Sequence, residues 1–166
     1  MTVSSMAVKS LRLAGIVPES VTDGPGLRMT VFVQGCPHHC PGCHNPQTHD
    51  PEQGSFTDIE LIIEQYRANP LLDGITLSGG EPFGQPEPLA LLARAVHGLG
   101  GDIITYTGYR LEALLGESHS PAVRDLLAES DFLVDGPYIE ELRTLELPFR
   151  GSSNQRFLKR GKDYLS

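Results

Sequence analysis

Two rhythms of apolar residues alternate along the chain. Short runs rich in β-branched and aromatic residues, at 11–16, 28–34, 74–77, 102–106 and 131–135, read as strands. Between them the spacing becomes helical: Ile59, Ile62, Ile63 and Tyr66 stand at i, i+3, i+4 and i+7. This first helix is predicted to open on a capping box, Thr57-Asp58-Ile59-Glu60, and to stop at Asn69-Pro70. Residues 87–99, bounded by Gly98 and Gly100, read as a second helix, and 110–115 and 122–129 as shorter ones. Residues 35–56, rich in Gly, Pro, His and Asn, show no regular element.

Strand–helix alternation predicts parallel β/α units. Polar, glycine-rich sequence follows four strands: the loop after residue 34, Ser78-Gly79-Gly80-Glu81-Pro82, Thr107-Gly108-Tyr109 and Asp135-Gly136-Pro137. In β/α folds that edge of the sheet holds the site. The strands are too few to close an eight-fold barrel, so the expected fold is α/β, a partial, open parallel β/α barrel. Three regions are expected: a flexible lead-in (1–10), the barrel domain (11–149) and a polar C-terminal segment (150–166) carrying Arg150-Gly-Ser-Ser-Asn-Gln-Arg156.

Composition narrows the chemistry. A chain of 166 residues fits one domain. Its 13 basic and 21 acidic residues leave a formal charge of −8, a poor match for nucleic acid or an anionic membrane. No apolar run approaches the ~18 residues that span a bilayer, and the N-terminus shows no charged-then-apolar signal pattern. A cytoplasmic location is expected. The three cysteines all lie in one short loop, Cys36-Pro-His-His-Cys40-Pro-Gly-Cys43. An odd number so placed argues against a disulfide framework and fits thiols kept as metal ligands in a reducing compartment. With no fourth cysteine, C-x3-C-x2-C spacing points to an iron–sulfur cluster with one coordination position open to a small molecule. On the cysteines alone, the rival is a zinc knot completed by His38, His39, His44 or His49, in a module without catalysis.

Further motifs sharpen the choice. The cysteine spacing, followed by Gly79-Gly80-Glu81 after a strand, resembles the radical S-adenosylmethionine enzymes. Asp23-Gly-Pro-Gly-Leu-Arg28 narrows the likeness to activases of glycyl-radical enzymes. Cys43-His44-Asn45, Tyr106-Thr-Gly-Tyr-Arg-Leu-Glu112, Val134-Asp-Gly-Pro137 and the segment at 150–155 resemble the activating proteins of anaerobic ribonucleoside-triphosphate reductases. The likeness runs from about Gly15 to Arg156. Gly42 departs from the aromatic residue that many superfamily members carry before the third cysteine, and is common in the narrower family.

The resemblance implies that Cys36, Cys40 and Cys43 hold a [4Fe-4S] cluster whose fourth iron chelates S-adenosylmethionine. The implied products of reductive cleavage are methionine and a 5′-deoxyadenosyl radical. That radical takes hydrogen from a glycine near the C-terminus of the reductase's large subunit, with reduced flavodoxin or a similar carrier as electron donor. Implied cofactor contacts are Gly42, Cys43, His44, Gly79, Gly80 and Glu81, with Thr107, Asp135, Arg28 and Asn154 as further candidates. Each has a plainer alternative. Gly79-Gly80-Glu81 can be an ordinary turn, with Glu81 orienting the loop or accepting from the methionine ammonium. Arg28 pairs with a carboxylate or with the partner, and Asp135 bonds the ribose or caps a turn. Residues 150–155 are a solvated tail or fold over the open side of the barrel. Gly35 and Gly42 let backbone amides approach the cluster sulfurs. His97 and His119 are expected to be surface or helix-end residues without a role. Another glycyl-radical activase, or another enzyme of the superfamily, is the alternative function.

Overall fold

The computed structural model describes residues 9–116 and 119–165, so most of the expected lead-in lies outside the described residues. In chain order the elements are β1 (Ser10–Ser20), β2 (Arg28–Val33), β3 (Ser55–Asp58), α1 (Ile59–Arg67), β4 (Gly74–Gly79), α2 (Pro86–Gly98), β5 (Asp102–Tyr106), α3 (Leu111–Leu114), α4 (Pro121–Glu129), β6 (Phe132–Asp135) and β7 (Arg156–Lys159). They form a mixed α/β fold around one seven-stranded sheet of order β3-β1-β2-β4-β5-β6-β7. The sheet is open: β3 and β7 are its two edges. β2, β4, β5 and β6 are mutually parallel, as the alternation predicts, whereas β1, β3 and β7 join antiparallel. No helix among the described residues is long and apolar enough to cross a membrane.

Register sorts the parallel strands into two faces. Met29, Ile75 and Ile103 align on one, as do Val31, Leu77 and Leu133 nearer the C-terminal edge. These side chains belong to the main core, with Ile59, Ile62, Ile63 and Tyr66 of α1, Leu89, Leu92 and Val96 of α2, and Val123, Leu126 and Leu127 of α4. The helical stripe read from the sequence is therefore the buried face of α1. The opposite face carries Arg28, then Thr30, Thr76, Ile104 and Phe132, then Phe32, Ser78, Tyr106 and Val134. It is far more polar, and the chain leaves it to the loops.

Arg28 forms the floor of that inner face. It is fully buried and reaches across β4 to β5, pairing with Asp102 at 2.6 Å. Its Nε donates to Thr76 Oγ1 at 2.8 Å, and its Nη2 to the carbonyls of Ile75 and Asp102 at 2.9 and 3.2 Å. Gly74 lies beneath the guanidinium, where a Cβ would collide with Arg28 and Asp102.

Three local expectations need correction. The N-cap of α1 is Asp58, whose carboxylate accepts from Glu60 N–H at 3.0 Å. Thr57 is paired with Leu11 in the β3–β1 ladder, so the helix starts one residue later than a capping box at Thr57 requires. β3 occupies the end of the stretch read as irregular, and β7 lies within the C-terminal segment; both are four-residue edge strands. His97 has a role. In the last turn of α2 it lies between Glu129 (Nδ1···Oε2 2.9 Å) and Asp131 (Nε2···Oδ2 2.7 Å). Asp131 also accepts from Ile103 N–H at 2.8 Å and pairs with Arg160, so the cluster ties α2, β5, β6 and the end of β7.

Two predictions follow from these clusters. Asp102→Ala leaves the buried Arg28 guanidinium without its counter-charge and is expected to cost about 3 kcal/mol of unfolding free energy. Arg28→Met should cost less, because the Asp102 side chain is 42% exposed and can turn toward water the carboxylate whose Oδ1 is buried against the guanidinium. Urea titration of the two variants measures the order, and the reverse order would contradict the floor assignment. For His97, burial works to lower the pKa, but the hydrogen bonds and charges of Asp131 and Glu129 outweigh it and raise it. The imidazolium's stabilisation is complete below about pH 6.5, its unfolded value, and is lost as pH rises through the higher folded value. The stability gap between wild type and His97→Gln should therefore narrow with rising pH; a constant gap would contradict this.

Candidate functional site

β2 delivers the chain directly into the cysteine loop, which is fastened at its base. Gln34, buried just after the strand, donates from Nε2 to the carbonyls of Gln47 (3.0 Å) and Asp50 (2.7 Å). Gly35 N–H donates to Thr48 O at 2.6 Å and Cys36 N–H to His49 O at 3.1 Å, so the loop leaves and returns at one place. Within it Cys43 N–H closes a turn on Cys40 O at 3.1 Å, with Gly42 at φ +75°. A Cβ on Gly42 would also stand 2.7 Å from the Glu140 carboxyl carbon.

All three cysteines are free, partly buried thiols lining one cavity of about 520 Å³. Burial pushes the Cys36 thiol up, while the backbone N–H groups of His38 and His39 directed at its sulfur act against that shift. Asn45 N–H points at Cys43 Sγ at 3.4 Å. Amides aimed at sulfur favour thiolates bound in a cluster, so this donor set fits an iron–sulfur centre. Of the histidines of the zinc alternative, His38 is hydrogen-bonded to Glu81, whereas His39 and His49 meet edge to face, His44 packs against Tyr138, and His49 Nε2 is buried without a hydrogen-bond partner among the described residues. Among the described residues, no three His, Cys, Asp or Glu side chains are arranged to hold a single metal ion.

Glu81 links the cysteine loop to the next two strand ends. Its carboxylate is almost fully buried. One oxygen accepts from His38 Nε2 (2.6 Å), Thr107 Oγ1 (2.8 Å) and Gly108 N–H (2.9 Å), and the other from Phe83 N–H (2.9 Å). Gly79 and Gly80 run beside the end of β2, Gly80 N–H donating to Val33 O and Glu81 N–H to Gly35 O, both at 2.8 Å. A Cβ on Gly79 would approach Val33 N to 2.6 Å, and one on Gly80 would collide with Gly35 O. The absent side chains thus serve close strand-end packing as well as leaving backbone bare at the cavity wall.

Of the residues singled out from sequence, Cys36, Cys40, Cys43, His44, Gly79, Gly80 and Thr107 line this cavity. Glu81 stands behind that wall. Arg28 is the floor described above. Asp135 has both oxygens occupied: Oδ2 accepts from Leu111 N–H at 2.8 Å, at the start of α3, and the carboxylate pairs with Arg156, which also reaches Glu112. Asn154 donates to Pro137 O at 2.8 Å. His38, named above only as a possible zinc ligand, is partly buried, against Glu81 and edge-on to Tyr109 with ring centroids 4.5 Å apart. His119 packs on the same tyrosine. Tyr106, quoted above within a motif but not as a site residue, lines the cavity and donates its hydroxyl to Phe149 O at 2.6 Å; burial raises its pKa. Its inward position follows from the two-residue period of β5, the signal that could have found it.

A family profile described as a 4Fe-4S single cluster domain matches residues 22–158. The chain is 39% identical over 146 residues to the anaerobic ribonucleoside-triphosphate reductase-activating protein of Escherichia coli strain K12, an alignment covering 83% of this chain and 92% of the relative. The protein of that name from Salmonella typhi is 38% identical over 147 residues, with the same coverage. That from Enterobacteria phage T4 is 31% identical over 148 residues, covering 85% of this chain and 89% of its own. The likeness to the crystal structure of QueE from Escherichia coli (TM-score 0.47, 15% identity, 65% of this chain and 57% of that one) is too distant to carry fold or activity. With three free thiols on one cavity and relatives matching along most of their length, the chain belongs to the family of anaerobic ribonucleoside-triphosphate reductase-activating proteins, with a 4Fe-4S single cluster domain at its centre.

Proposed function

We propose that this protein is a glycyl-radical activating enzyme of the radical S-adenosylmethionine type, an oxidoreductase whose substrate is the large subunit of an anaerobic ribonucleoside-triphosphate reductase. In this reading the open sheet is a partial β/α barrel working at its C-terminal edge. Cys36, Cys40 and Cys43 hold the [4Fe-4S] cluster, and Gly42, His44, Gly79 and Gly80 flank S-adenosylmethionine. When bound, the cluster and cofactor supply one-electron cleavage to methionine and a 5′-deoxyadenosyl radical, which takes hydrogen from a glycine α-carbon of the partner. Reduced flavodoxin or a similar carrier provides the electron.

The observation that carries the reading is the convergence of three free thiols and the Gly79-Gly80 backbone on one cavity. The chain's own part is positional. Glu81, through His38, fixes the cysteine loop relative to Gly79-Gly80, and through Thr107 and Gly108 it fixes the β5 end. Phe32, Tyr106, Tyr138 and Phe149 give the cavity aromatic walls that limit water around a reactive radical. Residues 150–155 form part of its side, where Gly151 packs near Tyr138 and His44.

The direct test is anaerobic reconstitution with iron and sulfide, followed by incubation with the reductase large subunit, S-adenosylmethionine and reduced flavodoxin. A glycyl doublet in the electron paramagnetic resonance spectrum is expected. A colourless zinc protein giving no doublet would end the proposal. Cys36→Ala should lose most of its iron and sulfide and reduce the doublet to background; retained turnover would contradict the ligand assignment. Glu81→Gln replaces an acceptor with an amide that cannot accept at both ends, leaving a buried N–H or hydroxyl unsatisfied. It is expected to cost about 2 kcal/mol in urea unfolding of the apoprotein, and unchanged stability would remove its role in tying the loops.

A further inference from the structure

Residues 136–155 leave the end of β6 and return to β7 as an irregular hairpin. Arg143 and Ser152 form an antiparallel bridge, Thr144 N–H donates to Gly151 O at 3.1 Å and Ser153 N–H to Leu142 O at 2.8 Å. The Arg-Gly-Ser-Ser-Asn-Gln sequence fastens the stem. Gln155 Oε1 accepts from the N–H groups of Gly151 (2.9 Å) and Ser152 (3.1 Å), while its Nε2 donates to Gly136 O at 3.1 Å. Ser152, fully buried, accepts from Ile139 N–H at 3.2 Å. Phe149 holds a φ of +63°, a costly conformation for a bulky residue, kept by the Tyr106 hydrogen bond and by packing on Phe157.

So restrained a stem supports a tip that buries little of itself. Leu145 is 90% exposed, and Leu142 beside it 41%. Arg143 is exposed, and among the described residues its side chain has neither an ion pair nor a hydrogen bond; Arg28, Arg67, Arg94, Arg156 and Arg160 pair with carboxylates, and of the others without an ion pair Arg12 stacks on Phe56, Arg124 and Arg150 donate to carbonyls and Arg110 lies near Glu112. Arg143 and Leu145 stand at the mouth of the thiol-lined cavity. One exposed leucine needs no explanation. An exposed leucine beside an unpaired guanidinium, projected by a strained and heavily fastened hairpin over a cavity mouth, calls for a partner.

We infer that the hairpin tip, residues 142–145, is the docking element for the protein substrate: Leu145 packs on an apolar side chain of the partner, and Arg143 pairs with a carboxylate on the partner's surface. The identity of the partner rests on the function proposed above; the location of the contact rests on the hairpin alone. Apolar anchors and arginines dominate such contacts once they are desolvated.

The test measures binding of wild type, Leu145→Ser and Arg143→Glu to the reductase large subunit by analytical ultracentrifugation at low and high salt. Thermal melts of each variant accompany it. Each variant should bind at least about tenfold more weakly than wild type, with an unchanged melting temperature. The defect of Arg143→Glu should shrink as salt rises. Wild-type-like binding by either variant would overturn the docking role, and so would a lowered melting temperature for Leu145→Ser, since that would mean the residue packs within its own chain. A wild type that does not bind the large subunit would instead refute the proposed partner.

Discussion

One buried carboxylate decides how the site is assembled. Parallel strands present their C-terminal ends side by side, but the loops that follow share only isolated backbone hydrogen bonds, such as Glu81 N–H to Gly35 O and Gly136 N–H to Tyr109 O. Something must join them, and here it is Glu81. It accepts from His38 of the cysteine loop, from Phe83 N–H in its own turn, and from Thr107 and Gly108 after β5. A carboxylate withdrawn from water is tolerated when several donors, one of them ionisable, surround it. Because His38 lies between Cys36 and Cys40, this arrangement also sets where the thiols stand relative to Gly79-Gly80. The opposite end of the parallel strands has a counterpart of reversed sign, the buried Arg28 held by Asp102, Thr76 and strand carbonyls.

Arg28 sits on one side of a sheet whose other side is almost wholly apolar. Helices α1, α2 and α4 cover the aliphatic face and supply most of the hydrophobic stabilisation, each fully buried Leu or Ile contributing roughly 1.5–3 kcal/mol. The inner face cannot be filled in the same way, because Thr30, Thr76 and Ser78 alternate with the core residues along β2 and β4. Stability and chemistry are therefore divided between the faces by the two-residue strand period. The cysteine loop can remain irregular because Gln34 and a few backbone bonds fasten its base, and the helices carry the fold.

Local pattern is why much of this was legible in the sequence. The five strands read there all exist, the Ile59–Tyr66 stripe is the buried face of α1, and the four polar strand ends share one edge. What was missed depends on contacts distant in sequence. β3 and β7 are short edge strands, and an edge strand need not advertise itself by an apolar run. Thr57 has the chemistry of a cap, but pairing with Leu11 takes its backbone first. His38, among proline, histidine and cysteine, gives no local sign of a carboxylate 43 positions away. Asp135 was read as bonding a ribose or capping a turn, and nothing near it in sequence shows Arg156 returning to pair with it.

The same reasoning applies to Arg150-Gly-Ser-Ser-Asn-Gln155. Polar, glycine-containing sequence near a chain end usually means a tail in solvent, yet Ser152, Asn154 and Gln155 spend their side chains on backbone groups at the end of β6 and in the hairpin stem. Such residues suit this task because each offers a short, directional donor or acceptor and little apolar surface, so a hairpin can be held rigid without a core of its own. With its stem held this way, the hairpin can stand beside the open inner face and keep its tip free. If the substrate is a loop of another protein, a rigid lip beside a sheet that stops at β3 and β7 admits it better than a closed barrel would, because a polypeptide must both enter and leave the cavity. The polarity of this segment is then a requirement of holding an opening in place, and not the mark of a chain end released into water.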